Sequence, residues 1–295
     1  MMPSPVIYSV THDILGDPFW AVYDRGVAAA RDCLGCDVRT FRPERYSPAG
    51  MRAIVESAAR DRPDGLLCTI PDAHVLEPPL RAAIAAGVAV VATNARDARE
   101  QLHRIPYLRY IGGDDRDGGK LAGKRLLSAG AGRDVICFDH YLVDQSCHAD
   151  RFAGLREIIT ASGGLSRRVG IPGDNPDAAT AQIRAVLDEN PAVDSIVTLG
   201  PPGAHAALRA VEALKRTLQH VTFDLSEEQL AALRDRRLLA IIDSQQYLQG
   251  FIGVQLLCLY LRYGLLPASD ILTGPALVDA SNVAAAERAF QTGAR

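Results

Sequence analysis

Short, almost wholly apolar runs recur along this chain and alternate with amphipathic, alanine-rich segments. An apolar strand that lacks polar alternation has both faces of its sheet covered, and strands alternating with helices form doubly wound parallel sheets. So many strands in 295 residues predict an α/β protein with two such sheets. The predicted strands are residues 6–11, 65–70, 89–94, 108–112, 134–140, 195–200, 221–224 and 239–243.

The stretch 112–119, Gly-Gly-Asp-Asp-Arg-Asp-Gly-Gly, interrupts this alternation with a polar, glycine-rich segment. A phosphate-binding loop is excluded because Leu121 stands where Ser or Thr would coordinate magnesium, and three aspartates would repel phosphate. We therefore expect a flexible loop that opens a helix and carries the chain across a hinge.

Composition excludes several classes of function. A net charge of −3 offers no basic surface for nucleic acid, and no apolar run reaches the ~20 residues of a membrane span. The first residues lack the basic and apolar regions of a signal peptide. From composition alone, the protein is either cytoplasmic or a mature form with a new start.

The six cysteines give no clear redox or zinc motif. Cys33 and Cys36 have redox-motif spacing, but they follow a helix, and no second C-x-x-C completes a zinc site. A surface disulfide and two idle thiols are both compatible with this pair. Whether Cys137 and Cys147 pair is equally open.

Catalytic motifs are missing from the sequence. It has no G-x-S-x-G, no H-E-x-x-H and no G-x-G-x-x-G after the first strand, so we expect neither an enzyme nor a cofactor. We also expect no metal, because the histidines lack metal-ligand spacing. Those considered are His12, His74, His140, His148 and His205.

The tetrad Asp17-Pro18-Phe19-Trp20 follows the first predicted strand and starts a helix. Ligands of doubly wound folds lie at the carboxyl ends of the strands, where this tetrad should sit. Aromatic faces bury the C–H face of a sugar ring, and a carboxylate accepts bonds from its hydroxyls. Adjacent helical positions point in different directions, so we expect only one of Phe19 and Trp20 in the core.

Polar side chains recur at the ends of other predicted strands. Asn, Asp, Gln and Arg can bind vicinal hydroxyls with paired hydrogen bonds, although Asn and Asp also cap helices. Together with the aromatic pair, so many such positions favour a ligand site over capping alone. The candidates are Asn94, His140, Arg151, Asp224, Ser244 and Gln245.

The order of these motifs resembles the type I periplasmic sugar-binding proteins, the ribose-binding group. The resemblance covers nearly the whole chain. It rests on Asp17-Pro18-Phe19-Trp20, Pro63-Asp64-Gly65, the segment 87–91, Gly112…Asp115…Gly119…Gly123, Arg151…Gly154, Phe223-Asp224 and Gln245…Gly250.

The resemblance implies two lobes joined by three hinge crossings, 1–112 plus 246–275 and 113–245 plus 276–295. They would close on a monosaccharide or sugar alcohol that a monomeric periplasmic protein, its signal peptide removed, delivers to an ABC transporter permease. Phe19 and Trp20 would stack on the ligand. Asp17, Asn94, Arg151 and Asp224 would bind its hydroxyls, and Ser244 or Gln245 would replace the family's hinge glutamine.

Two departures bear on the ligand. Ribose-type members often carry Asp-Arg where this chain has Asn94-Ala95, and the usual proline after the hinge glutamine is absent. A different sugar or a linear polyol therefore remains open. So does a ligand-sensing receptor or regulator core with the same two lobes, although the chain starts at its first strand and shows no helix-turn-helix.

Overall fold

The structure is a computed structural model that describes residues 4–12, 18–44, 46–140 and 146–295. The elements in chain order are β1 (Val6–Val10), α1 (Pro18–Leu34), β2 (Asp37–Phe41), α2 (Pro48–Asp61), β3 (Gly65–Cys68), α3 (Ala73–Ala85), β4 (Ala89–Thr93), β5 (Tyr110–Gly113), α4 (Asp115–Ser128), β6 (Asp134–Asp139), α5 (Ser146–Ala161), β7 (Leu165–Gly170), α6 (Pro176–Glu189), β8 (Ser195–Thr198), α7 (Pro201–Leu214), β9 (Gln219–Phe223), α8 (Glu227–Arg234), β10 (Ala240–Asp243), α9 (Gln246–Tyr263), β11 (Ile271–Gly274), β12 (Ala276–Val278) and α10 (Val283–Gln291). None of the described helices is long and apolar enough to cross a membrane.

The chain divides into two compact units. Unit 1 is Met1–Gly113, Gln245–Thr273 and Gly293–Arg295, and unit 2 is Asp114–Ser244 and Gly274–Thr292. The last three residues therefore belong to unit 1, whereas the sequence placed the whole chain end in the second lobe. The reason is local, because Arg25 Nε of unit 1 donates a hydrogen bond of 2.8 Å to the Gly293 carbonyl.

The sheet of unit 1 has the strand order β11-β5-β4-β3-β1-β2, and strands β1 to β5 pair in parallel. Successive side chains of a strand point to opposite faces. Leu66 accordingly packs with Met51 of α2 and Leu80 of α3, while Leu67 packs with Tyr23 of α1 and Leu257 of α9. Helices thus cover both faces of the sheet.

Unit 2 has a sheet with the equivalent strand order, β12-β10-β9-β8-β6-β7, parallel except for the antiparallel pairing of β12 with β10. Cys137 packs with Leu155 of α5, and its neighbour Ile136 packs with Ile183 of α6. The predicted α/β class with two doubly wound, mainly parallel sheets is therefore confirmed.

Four strands were not predicted from the sequence. The edge strands β2 and β7 carry partly exposed polar side chains such as Arg39 and Arg167, so they lack the continuous apolar run that identified the interior strands. The other two, β11 and β12, are only 4 and 3 residues long.

The segment 112–119 does open a helix, and the two units divide within it, but the expected flexible loop is absent from it. Strand β5 continues through Gly113, and α4 begins at Asp115 with Asp114 as its only intervening residue. The Asp114 carboxylate caps the helix by accepting a hydrogen bond from the Asp117 backbone N–H at 3.0 Å. A capping residue therefore replaces the loop, because it satisfies a backbone donor of the first turn.

Helices α4 and α5 of unit 2 approach each other through two glycines. A Cβ atom at Gly119 would lie 1.9 Å from the Arg151 carbonyl oxygen, and one at Gly154 would lie 1.9 Å from that of Arg116. Only glycine allows backbones this close. The contact sets α5, and with it Arg151, directly against the start of α4.

Unit 1 contains an equivalent pair between α1 and α9. A Cβ atom at Gly26 would lie 2.1 Å from the Tyr247 carbonyl oxygen, and one at Gly250 would lie 2.4 Å from that of Tyr23. The spacing of glycines in both units thus follows from close helix packing.

We predict that Gly154→Ala lowers the free energy of unfolding by about 1–3 kcal/mol, because the added methyl group separates α4 from α5. Urea unfolding followed by circular dichroism measures the change. Gly170→Ala is the control, since a Cβ atom there meets nothing within 4 Å. Equal unfolding midpoints for the two variants would show that the close approach of α4 and α5 does not contribute to stability.

Candidate functional site

The aromatic pair Phe19 and Trp20 lies in the first turn of α1, while Asp17 falls outside the described residues. Both rings are buried, with exposures of 7 % and 3 %, and both belong to the apolar cluster on the α1 and α9 face. The expectation that only one would be in the core is therefore wrong. The rings meet edge to face at 4.9 Å between centroids, so side chains with different directions share one cluster.

An imidazole extends this aromatic group at the end of β1. His12 is 3 % exposed, and its ring lies 5.1 Å from that of Trp20 and 5.9 Å from that of Tyr46. The His12 backbone N–H donates to Thr69 Oγ1, which follows β3. The carboxyl ends of β1 and β3, the switch point of this strand order, therefore carry a buried aromatic group.

Asn94 follows β4 and is half-buried. Its amide Nδ2 donates a hydrogen bond of 3.2 Å to Gln249 Oε1, and Tyr110 Oη donates to its carbonyl oxygen at 2.7 Å. Gln249 is fully buried in α9 and was not singled out from the sequence. Its position one turn after Gln245 is the signal that would have found it.

Three predicted site residues adopt a left-handed backbone. The φ angles are 62° at Asn94, 59° at Asp224 and 54° at Gln245. Asn94 and Asp224 directly follow the last residues of β4 and β9, and Gln245 lies two residues after the end of β10. The other non-glycine residues of this kind in the described ranges, Arg62, Lys215 and Arg236, lie at helix ends. Such strain is retained where surroundings fix it, and it clusters at ligand sites.

Ser244 belongs to unit 2 and Gln245 to unit 1, so the chain changes units between these two residues. The Gln245 side-chain amide donates to the carbonyl oxygen of Thr273, the last residue of the same segment of unit 1. Ser244 is 7 % exposed, and its hydroxyl accepts a weak hydrogen bond of 3.4 Å from Arg151 Nη2.

Arg151 is the centre of the polar group in unit 2. It lies in α5 with 5 % exposure, and its guanidinium contacts carboxylates on two sides. Nε donates to Asp115 Oδ1 at 2.8 Å, while Nη1 donates to Asp224 Oδ2 at 3.1 Å and to the Leu199 carbonyl at 2.8 Å. Burial acts to lower the arginine pKa, but the carboxylates of Asp224 and Asp115 outweigh it and raise that pKa.

The second oxygen of Asp224 has no hydrogen-bond partner among the described residues. Asp224 is 4 % exposed, and its Oδ1 atom is shielded from solvent without a donor. Leaving a buried acceptor unsatisfied costs about 1–3 kcal/mol, and more when it is charged. A ligand hydroxyl that donates to this oxygen would recover that free energy.

Asp115 is a member of this group that the sequence analysis assigned only to the hinge segment. It is the first residue of α4, and its side chain is 16 % exposed. Burial raises the pKa of its carboxyl group to about 6, although the Arg151 guanidinium opposes the rise. The interaction depends on the packing of α4 against α5, which residue spacing does not reveal.

His140 follows β6 and is 7 % exposed. Its ring lies against Gly200, where a Cβ atom would come within 2.7 Å of His140 Cε1, and 4.9 Å from the His148 ring. Burial, aided by the neighbouring His148, lowers the pKa of His140 well below its usual value. Burial also lowers the pKa of His148, although Asp139 opposes it.

Two histidines that lack metal-ligand spacing in the sequence, His140 and His148, lie close together in the structure. Ligand atoms of Asp139, His140 and His148 lie within 4.8 Å of one another. However, His148 Nδ1 is 2.6 Å from Asp139 Oδ1, and Arg168 Nε donates to Asp139 Oδ2 at 2.7 Å. Both oxygens of Asp139 thus have protein partners. Asp139 forms an ion pair with Arg168 and orients the His148 ring.

The described residues therefore form two polar groups at the carboxyl edges of the sheets. The group of unit 1 comprises Asn94, Gln245 and Gln249, and the rings of Phe19 and Trp20 lie separately at the start of α1. The group of unit 2 comprises Asp115, Arg151, Asp224 and Ser244, with His140 at the neighbouring strand end. Aromatic faces, amides, a guanidinium and carboxylates are the groups that bind polyhydroxyl compounds.

Relatives of the chain include two curated sugar-binding proteins. Xylose/arabinose-binding protein XylF of Sulfolobus acidocaldarius is 24% identical over 289 residues, covering 94% of this chain and 70% of that protein. A D-ribose/D-allose-binding protein of Pseudomonas aeruginosa is 25% identical over 207 residues, covering 68% of this chain and 64% of that protein.

Among solved structures, a carbohydrate transporter from Acidothermus cellulolyticus in complex with myo-inositol has a TM-score of 0.90 and 29% identity, covering 99% of this chain and 100% of that one. The family model of the periplasmic binding protein domain matches residues 8–264. The chain belongs to the periplasmic binding protein family, whose members are binding proteins and not enzymes.

Proposed function

We propose that the polar groups at the two sheet edges bind one monosaccharide or sugar alcohol, which the protein delivers to an ABC transporter permease. The relatives named above bind xylose and arabinose or ribose and allose, and the solved structure at 29% identity holds myo-inositol. In this proposal the protein works as a monomer in the periplasm.

The observation that carries the proposal is the unpartnered Asp224 oxygen. A buried carboxylate held by Arg151 on one oxygen and left open on the other is an acceptor prepared for a donor from outside the protein. Hydroxyl groups of a sugar supply such donors, and bonds to a charged acceptor are about twice as strong as neutral ones.

The aromatic and amide groups of unit 1 complement this acceptor chemically. Trp20 and Phe19 provide apolar surface for ring C–H groups, and Asn94 can both donate to and accept from hydroxyls. The protein already holds these side chains in place, through burial of the rings and the left-handed backbone of Asn94. Binding therefore costs less side-chain conformational entropy. A cyclic polyol presents both kinds of surface to such groups.

We predict that calorimetric titration of the full chain with myo-inositol, D-ribose, D-xylose, L-arabinose and D-glucose finds saturable binding of at least one compound, without chemical change to it. Mass spectrometry of the recovered compound checks the second point. Absence of binding throughout the panel, or a converted product, would contradict the proposal.

We predict that Asp224→Asn weakens binding of the bound compound roughly 10- to 150-fold, because an amide replaces the charged acceptor that Arg151 orients. Asp235→Asn is the matched control, since the Asp235 side chain is 55% exposed next to Arg237. Titration of both variants measures the effect. Equal affinities would remove Asp224 from the binding site.

We predict that Trp20→Leu weakens the same binding by about 1–3 kcal/mol through loss of aromatic surface. Val27→Ala, in the same apolar cluster and two turns further along α1, should lower stability but leave affinity unchanged. Titration and thermal unfolding of both variants separate the two effects. Unchanged affinity in Trp20→Leu would make this residue a core residue alone.

A further inference from the structure

The protein itself uses most of the hydrogen-bonding capacity of Arg151. A guanidinium has five N–H donors. One on Nε is taken by Asp115, those on Nη1 by Leu199 and Asp224, and one on Nη2 makes the long bond to Ser244. Little remains for a ligand, so the arginine acts mainly by holding the two carboxylates in place.

Acceptor atoms, in contrast, are left over. Among the residues that the structure describes, none donates to the buried Asp224 Oδ1 or to the second oxygen of Asp115. Both carboxylates are attached to one guanidinium, on its Nε and Nη1 sides, so their remaining oxygens belong to a single group. Two carboxylates against one guanidinium also give this group a net negative charge.

We propose that Asp115 is a further ligand-contacting and specificity-determining residue, which with Asp224 forms an acceptor pair that selects neutral or amino-substituted polyols and excludes sugar acids. This inference rests on the proposed binding of a polyol. Separate hydroxyls of a polyol, or the N–H groups of an ammonium, can donate to the two carboxylates. A ligand carboxylate has no donor to offer and meets like charge in a site of low dielectric constant.

The ionisation of Asp115 sets the pH at which the three probes should be compared. At about pH 7.5 an aliphatic amine is protonated and a carboxyl group with a pKa of about 6 is mostly ionised. The charged groups that act on Asp115 are Arg151, Asp224 and Asp150, all of unit 2. An amine in place of one hydroxyl therefore gains an ionic interaction that a neutral polyol lacks.

The test compares three probes with the full-length chain: neutral myo-inositol, the aminocyclitol scyllo-inosamine, and D-glucuronate. We expect the wild-type protein to bind the first two and not the third. In Asp115→Asn we expect affinity for scyllo-inosamine to fall about tenfold more than affinity for myo-inositol, because only the amine loses an ionic partner. Asp117→Asn, on the same turn of α4 with a side chain 61% exposed, is the control and should leave the ratio unchanged.

The ratio of the two affinities distinguishes a ligand contact from a structural role. An equal loss for both probes, or no loss, in Asp115→Asn would overturn the inference, as would wild-type binding of D-glucuronate as tightly as myo-inositol. Failure of the wild-type protein to bind myo-inositol and scyllo-inosamine, together with failure of the sugar panel, would overturn the proposed function itself.

Discussion

Arg151 is almost fully removed from water, and a buried guanidinium is tolerated only where carboxylates neutralise it and its N–H groups are satisfied. Asp115 comes from the start of α4 and Asp224 from the end of β9, so this ion cluster fixes a helix and a strand end around α5. Removing Arg151 would leave both carboxylates buried without a compensating charge, which is strongly destabilising. The polar edge of unit 2 depends on this interaction.

The ion cluster is possible because α4 and α5 approach without side chains at Gly119 and Gly154. Unit 1 has the same strand order and a second close pair, Gly26 and Gly250, between α1 and α9. In each unit the tight helix pair covers one face of the sheet. The helix starts that carry polar or aromatic groups, at Asp115 and Phe19, therefore lie at the carboxyl edges of the strands.

Much of the fold could be predicted because it depends on local patterns. Interior strands such as β3 and β8 are buried throughout and mainly apolar, since helices cover both sheet faces. Strands β2 and β7 were not predicted because their edge positions permit partly exposed arginines. Segment 112–119 was misjudged because glycine and aspartate there serve helix packing and capping, rather than flexibility.

Residues of the candidate site were predictable where chain position alone defines them. Asn94, Asp224 and Gln245 follow strands in the chain. Their left-handed backbones, which non-glycine residues seldom adopt, are typical of residues at functional sites. Asp115 could not be assigned in this way, because its contact with Arg151 arises from two helices packed together. The burial of both Phe19 and Trp20 likewise depends on ring contacts across the cluster, which helical periodicity does not specify.

The most direct test of the account is a crystal structure of the protein grown with myo-inositol, refined at a resolution that defines each ring hydroxyl. We predict a hydroxyl oxygen about 2.5–3.0 Å from Asp224 Oδ1, the hydrogen-bond distance for a charged acceptor. A polyol bound elsewhere, or an Asp224 Oδ1 atom contacted only by protein groups or water in the complex, would contradict the central claim.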